Sequence, residues 1–238
     1  MLTALAYARS RLPLARRADA VELLDSGILD TSEVEANLAD LARLNRLPGG
    51  TRASIRGIRR LAGGRDAALR ILDVGTGSGD LPLAFAHHGW STLALDLNRA
   101  VLDVARRRTA GEPLVEIAEG DARRLPFEDR TFDVAHCSLL LHHLDPSEAA
   151  DALRELRRVA KLGVVINDLR RGIWPLCATV ATSAAIGRSR VTRHDGLASA
   201  RRAYTLEERD ELLHSAGLAT RWHSSRWMPR VVTTASPA

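Results

Sequence analysis

From Leu69 onward, short runs of apolar residues alternate with segments whose apolar positions recur every three or four residues. Runs of strand length occupy 70–74, 92–96, 114–118, 132–137, 163–168, 219–225 and 230–234. Helical spacing covers 80–88, 99–108, 147–159, 173–187 and 205–216. Two helix starts are explicit. In Asp145-Pro146-Ser147-Glu148 a capping carboxylate precedes proline at the first helical position and glutamate at the third, and Thr205 with Glu208 repeats the pairing. Alternating strands and helices predict an α/β fold with a doubly wound, mostly parallel sheet. The link between the last two strands contains Pro229 and is too short for a crossover helix, so these strands are expected to pair as an antiparallel hairpin.

The first 65 residues have a different pattern. Asp30 and Glu33 form a capping pair, after which Val34, Leu38, Leu41 and Leu44 follow at helical spacing until Pro48-Gly49-Gly50 stops the helix. A basic helix over about 52–61 then leads into Gly63-Gly64. Residues 1–65 therefore read as an N-terminal helical cap or lid, and 66–238 as the main domain with a substrate-covering insertion around 170–204. No internal repeat is visible.

The first strand, Ile71-Leu72-Asp73-Val74, runs into Gly75-Thr76-Gly77-Ser78-Gly79-Asp80, and the second ends in Asp96. A strand, a glycine turn, a helix and a second strand tipped with an acid make half of a nucleotide-binding unit. The dinucleotide fingerprint is Gly-x-Gly-x-x-Gly. Here the third glycine comes one position early and Asp80 follows, at a helix start where it would repel a pyrophosphate. The loop suits an adenosine-type cofactor that carries positive charge.

In these motifs the chain resembles the class I S-adenosylmethionine-dependent methyltransferases, over about residues 69–170. The resemblance rests on an ordered set: the glycine loop, Leu95-Asp96, Gly120-Asp121-Ala122 with Leu125-Pro126-Phe127, and Phe132-Asp133-Val134. It implies a Rossmann-like sheet of seven strands in the order 3-2-1-4-5-7-6, with strand 7 antiparallel, and S-adenosyl-L-methionine as cofactor. It also implies roles. Gly75 and Gly77 pack on the methionine part, Asp73 orders the loop and the ammonium end, Asp96 holds the ribose hydroxyls, Asp121 and the Ala122 N–H take the adenine, the Cys137 carbonyl faces the methionine ammonium, and Thr76, Gly79 and Leu97 belong to the same cofactor-binding set. Asn45 and Arg46, in Leu44-Asn45-Arg46-Leu47-Pro48-Gly49-Gly50, are expected in a lid over the cofactor. That segment, Asn167-Asp168-Leu169-Arg170-Arg171, Thr192-Arg193-His194-Asp195-Gly196 and Ser199 to Thr205 also resemble a bacterial subgroup that methylates hydroxyls of phenolic, quinone-like or polyketide compounds.

The implied reaction is an in-line displacement from a sulfonium, assisted by a base because a phenol ionises near pH 10 (about the tyrosine value). His142 follows the fourth strand and Asp168 closes the fifth, so the two are expected to meet as a base dyad across the pocket floor. His194, read as a loop residue, is the competing base. Leu139, Leu140, Leu141, Ile173, Trp174 and Leu176 are candidates for an apolar acceptor pocket, with Trp227 and Met228 nearby. Arg201, Arg202 and Tyr204 are candidates for binding an acidic or phenolic group.

Composition narrows the alternatives. The net charge is +5 and the pI about 10.1, yet the 34 basic residues include one lysine, Lys161, and are dispersed without a dense basic tail. Aromatic residues make up only 4%, too few for a stacking platform, and neither an Asn/Asp-Pro-Pro-aromatic segment nor a catalytic Pro-Cys pair is present, which argues against a nucleic-acid methyltransferase. A non-catalytic S-adenosylmethionine-binding module is the other alternative. Cys137 and Cys177 are too scattered for a disulfide framework or a zinc site, so no metal is expected. The opening segment lacks a basic region followed by a clean apolar core, and the uncharged run from Gly172 to Gly187 is shorter than the roughly 20 residues a bilayer takes. The expectation is a cytoplasmic enzyme with a small aromatic or hydrophobic acceptor, no nucleic acid and no stable membrane insertion. A homodimer is compatible with the sequence.

Overall fold

In the computed structural model, seven strands form one sheet in the order β3-β2-β1-β4-β5-β7-β6. The structure describes residues 14, 16–20, 22–24, 26–64, 68–225 and 227–238. The strands are β1 (Arg70–Val74), β2 (Ser91–Asp96), β3 (Val115–Glu119), β4 (Phe132–Ser138), β5 (Ala160–Leu169), β6 (Leu218–His223) and β7 (Arg230–Pro237). Pairing is parallel from β3 to β5, and β7 runs antiparallel to both β5 and β6. Seven strands, their order and the final hairpin are as the sequence implied.

The described helices are α1 (Thr31–Leu44), α2 (Thr51–Leu61), α3 (Asp80–Ala86), α4 (Arg99–Thr109), α5 (Pro146–Val159), α6 (Ile173–Ile186), α7 (Arg190–Arg202) and α8 (Leu206–Ser215). Capping works as the sequence indicated. The Asp30 carboxylate accepts from the Glu33 N–H at 2.9 Å, and the Thr205 hydroxyl accepts from the Glu208 N–H at 3.2 Å.

A parallel sheet must be covered on both faces, and β1, β4 and β5 are accordingly buried on both. One face packs Leu72, Phe132, Leu153, Leu156 and Ile166 beneath α5 and α8, and the other packs Ile71, Phe85, Trp90 and Val165 beneath α2 and α3. Helix α2 belongs to this second layer. A Cβ on Gly57 would lie 2.9 Å from Val232 Cγ1 and 3.0 Å from Val165 Cγ1, so only glycine lets the helix settle this close to the sheet.

Helices α1, α6 and α7 pack together over the carboxyl ends of the strands. The buried Asp40 of α1 accepts the backbone N–H groups of Arg188 and Ser189 at 2.8 and 2.7 Å, an anchor at the N-terminal end of α7. Burial raises the Asp40 pKa, but these donors outweigh it and hold the carboxyl below its usual range. Helix α7 was read as a loop from sequence. It lacks a stripe of large apolar residues and packs instead through small ones: a Cβ at Gly196 would lie 2.4 Å from Ser183 Oγ of α6. Residues 1–13, the first part of the expected N-terminal cap, lie outside the described residues. Among the described residues no helix is long and apolar enough to cross a membrane.

Candidate functional site

A cavity of about 980 Å³ opens where the carboxyl ends of β1, β2 and β4 meet the cover helices. Ligand pockets run to roughly 1,000 Å³, so there is room for a nucleoside-sized cofactor and a second small molecule. One wall is the β1–α3 loop, held by Gly75 and Thr76 N–H groups donating to the Leu95 carbonyl at 2.8 and 3.0 Å. Gly79 caps α3 in a left-handed conformation at φ 74°, and a Cβ there would lie 2.9 Å from Thr109 Cγ2. Gly75, Thr76 and Gly77 line the cavity, whereas Gly79 supports the loop from behind.

Asp96 stands at the end of β2. Its carboxylate accepts the Gly77 N–H at 3.1 Å and the Asn98 N–H at 3.0 Å, which leaves lone pairs for further donors on the cavity side. Burial raises its pKa above the usual range despite those two bonds. A pair of ribose hydroxyls would supply the missing donors. Asp121, Ala122 and Leu97 also line the cavity. The Asp121 carboxylate is gripped by Arg123, at 2.7 Å from Nη2, and the guanidinium holds its pKa down. An adenine amino group would therefore share this carboxylate with Arg123.

Asp73 does not line the cavity. It is fully buried beneath the loop, where it accepts the Thr76 hydroxyl at 2.8 Å and His136 Nδ1–H at 2.6 Å. From there a single chain of hydrogen bonds crosses the molecule. Ser54 Oγ lies 2.9 Å from His136 Nε2, Asn167 Nδ2 donates to Ser54 Oγ at 2.8 Å, and Arg230 Nε donates to Asn167 Oδ1 at 2.9 Å. Arg230 also donates to Asn45 Oδ1 and Ser138 Oγ, both at 2.5 Å, and Asn45 Nδ2 donates to Asp80 at 2.9 Å. Arg only donates, which fixes the Asn167 amide, and the Asp73 carboxylate accepts, which assigns the proton on His136 Nδ1. Burial lowers the Arg230 pKa to about 10, so it remains a cation at neutral pH. The network ties the Asn45 turn and α2 to the cofactor loop.

The opposite end of the cavity is built from the turn after β4. Leu139 adopts a left-handed φ of 55°, a conformation costing about 1–3 kcal/mol for a residue with a side chain, and a short 3₁₀ turn over Leu141–His143 follows. His142 Nδ1–H donates to Asp168 Oδ1 at 2.6 Å, and both side chains are almost fully buried. Burial would raise the Asp168 pKa, but the His142 charge and hydrogen bond, with the buried Arg209 behind, hold it far below the usual carboxylate range. The ring's Nε2 side meets Glu22, from the irregular segment before α1, at 3.6 Å. The dyad partners predicted from sequence are thus in contact, and His142 lines the cavity.

Other expectations need correction. His194 does not line the cavity. It lies on α7, half-exposed, bonded to its neighbour Asp195 at 2.8 Å, and it is Asp195 that faces inward. Arg46 is exposed and turned away, and Asn45 takes the inward position because the helix end points one residue earlier. Cys137 is fully buried between β1 and β5, and the cavity wall begins one residue later at Ser138. Arg202 supports the floor by donating to the His142 and His143 carbonyls, and Tyr204 donates to the Leu144 carbonyl, so neither is free for an acceptor. Arg201 is exposed and outside the lining, and Leu141, Ile173 and Leu176 are outside it too, whereas Leu139, Leu140, Trp174, Trp227 and Met228 are part of it. Glu22 and Arg230 were missed. Arg230 had a signal, since the predicted hairpin sets strand 7 beside strand 5 and brings Arg230 opposite Leu169. Glu22 had none.

Comparison with known proteins agrees with this geometry. Residues 71–163 match a family model described as a methyltransferase domain. Over 112 residues the chain is 38% identical to a demethylmenaquinone methyltransferase of Clavibacter sepedonicus, covering 46% of this chain and 45% of that protein. Over 100 residues it is 40% identical to a ubiquinone/menaquinone biosynthesis C-methyltransferase of a Ruegeria species, covering 40% and 39%. The chain spans less than half the length of these relatives. A SAM-dependent methyltransferase from Aquifex aeolicus superposes with a TM-score of 0.63 at 20% identity, over 87% of this chain and 98% of that one, which establishes a shared fold.

Proposed function

We propose that this chain, whose residues 71–163 match a methyltransferase-domain family model, is a class I S-adenosylmethionine-dependent methyltransferase and methylates a hydroxylated aromatic small molecule held between the cofactor and His142. When bound, S-adenosylmethionine supplies an electrophilic methyl group on a sulfonium. Gly75 and Gly77 would receive its methionine portion, Asp96 its ribose hydroxyls, and Asp121 with the Ala122 N–H its adenine. Asn45, Asp80 and Arg230 hold the loop that faces it. Helices α1, α6 and α7 act as the cover that excludes water from the acceptor.

The observation that carries the reading is the His142–Asp168 pair at 2.6 Å, set in the cavity floor with Leu139, Leu140 and Leu144 around it. Asp168 fixes the ring so that Nδ1 carries the proton and Nε2 is left as the acceptor, and it stabilises the imidazolium that forms when Nε2 takes the proton of an aromatic hydroxyl. The resulting phenolate oxygen is the nucleophile expected from the sequence. The same deprotonation also makes the ring carbon beside the hydroxyl nucleophilic. Carbon methylation is a second reading, favoured by the similarity to the Ruegeria C-methyltransferase.

The test is transfer from carbon-13-methyl S-adenosylmethionine to a panel of phenols, catechols and naphthohydroquinones, with NMR locating the label. The proposal predicts one class of hydroxylated aromatic labelled on oxygen or on the adjacent carbon. Labelling confined to amines or nucleic-acid bases would refute it.

A further inference from the structure

We infer that Glu22, His142 and His143 form an open three-ligand site for a divalent transition cation of the zinc type. His142 Nε2 lies 3.6 Å from Glu22 Oε1, and His143 Nε2 lies 3.7 Å from Glu22 Oε2. The three ligand atoms all fall within 4.8 Å of one another. These separations are too long for hydrogen bonds. The 3.6 and 3.7 Å separations, each made by a different Glu22 oxygen, are close to the roughly 3.4 Å that separates two ligands each about 2.1 Å from a tetrahedral cation.

Burial supports the same conclusion. Glu22 is 3% exposed, and its Oε1 has no hydrogen-bond partner among the described residues. A buried carboxylate oxygen without a donor is costly, and a cation between it and the imidazoles would remove that cost. The surroundings are organised as a metal site requires. Asp168 accepts His142 Nδ1–H at 2.6 Å, the outer carboxylate that orients a ligating imidazole and raises its basicity. Asp195 clamps the segment bearing Glu22 by accepting the Leu23 and Leu24 N–H groups at 2.8 and 3.1 Å. Arg202 joins the two halves, donating to the carbonyls of Ala20, His142 and His143.

Two imidazoles and one carboxylate suit zinc, cobalt, iron or manganese better than magnesium or calcium. The three side chains line the cavity and leave further coordination positions facing it, which is the pattern of a catalytic rather than a structural site. The role of the cation rests on the acceptor reading above. It would bind the hydroxyl oxygen of the acceptor as an oxyanion, the hydroxyl proton passing to solvent. An electron pair from that oxyanion, on oxygen or delocalised onto the adjacent ring carbon, forms the new bond to the methyl carbon while the sulfur–methyl pair returns to sulfur; on the carbon route the ring proton then leaves to solvent and the oxygen regains a proton when the product departs. In this form His142 Nε2 is a ligand, and the cation in place of a free imidazole activates the acceptor hydroxyl.

The test is titration of the chelator-stripped full chain with Co²⁺, followed by visible d–d absorption, with Zn²⁺ as competitor. One Co²⁺ per chain with four- or five-coordinate bands is expected, displaced by Zn²⁺. Binding should weaken at least tenfold in Glu22→Gln and in His143→Ala, with folding checked by melting and by S-adenosylhomocysteine binding. Absence of saturable binding, or wild-type affinity in both folded variants, overturns the site. Full methyl transfer by the stripped protein would overturn the role of the cation and leave the proposed function standing. Failure of transfer with and without metal would strike the proposed function, and the cobalt titration would still decide the site.

Discussion

Replacing Asp168 by Asn separates the charge of this residue from its shape. The carboxylate accepts His142 Nδ1–H at 2.6 Å and the Leu169 N–H at 2.7 Å, and at 2% exposure water cannot substitute for either contact. Both bonds end on Oδ1, so an asparagine with its oxygen there keeps them as weaker neutral bonds and turns its NH₂ toward the His142 backbone N–H, which Oδ2 accepts at 3.3 Å. The loss of one charge-assisted hydrogen bond is worth about 1.5–3 kcal/mol, and an uncompensated Arg209 behind the pair adds to it, giving about 3 kcal/mol in all. For a chain of this size that lowers Tm by about 6–12 °C. The sign with pH follows from the depressed pKa. Asp168 stabilises the fold above its ordinary 3.8 and loses that contribution as pH falls through its lower folded value, so the Tm gap between wild type and variant narrows in strong acid. Catalysis should suffer more than stability, because the imidazole loses the carboxylate charge that stabilises its protonated form: kcat should fall about 10²–10⁴-fold. S-adenosylhomocysteine affinity should stay within threefold, since Asp168 stands away from the glycine loop. Initial rates with labelled cofactor, calorimetry and melting curves measure the three effects. A kcat within threefold of wild type, or a collapse of product affinity with kcat retained, would refute the reasoning.

Three further predictions address the cofactor end. Asp96→Asn should weaken S-adenosylhomocysteine binding about 10–100-fold by calorimetry, through loss of a charged acceptor for the ribose hydroxyls. Burial raises the Asp96 pKa above 3.8 and the hydroxyl donors favour its charged form, so wild-type affinity should fall as pH drops through that raised value, and the variant should show no such limb. Arg230→Lys cannot reach Asn167, Asn45 and Ser138 together. With about 1–3 kcal/mol for each orphaned acceptor it should cost about 3 kcal/mol in denaturant unfolding, and a cost below about 0.5 kcal/mol would mean the network is not cooperative. Gly79→Ala should cost about 1–2 kcal/mol for the left-handed backbone plus the clash with Thr109, and adding Thr109→Ser should recover only the clash.

The sheet was legible because each strand is an apolar run bounded by turn residues, and because capping pairs such as Thr205 with Glu208 mark helix starts directly. Asp96 was legible because it ends a strand at the rim where the parallel sheet puts its ligands, and Asp121 because the Gly120-Asp121-Ala122 motif follows β3 at the same rim. Helix α7 was hidden because its packing uses Gly196 and small residues instead of a large apolar stripe. His136 was hidden for a different reason: its partners Asp73 and Ser54 are distant in sequence, and nothing local marks a buried histidine as part of a network. Glu22 lies in an irregular segment positioned by Asp195, a tertiary contact with no local pattern to announce it.

The most direct test of the account is a crystal structure with S-adenosylhomocysteine and the labelled panel's best acceptor bound. It should place the adenosine between the carboxylates of Asp96 and Asp121, and the acceptor hydroxyl on the Nε2 side of His142, in direct contact or through a bound cation. An adenosine outside that span, or an acceptor bound with its hydroxyl remote from His142, would contradict it.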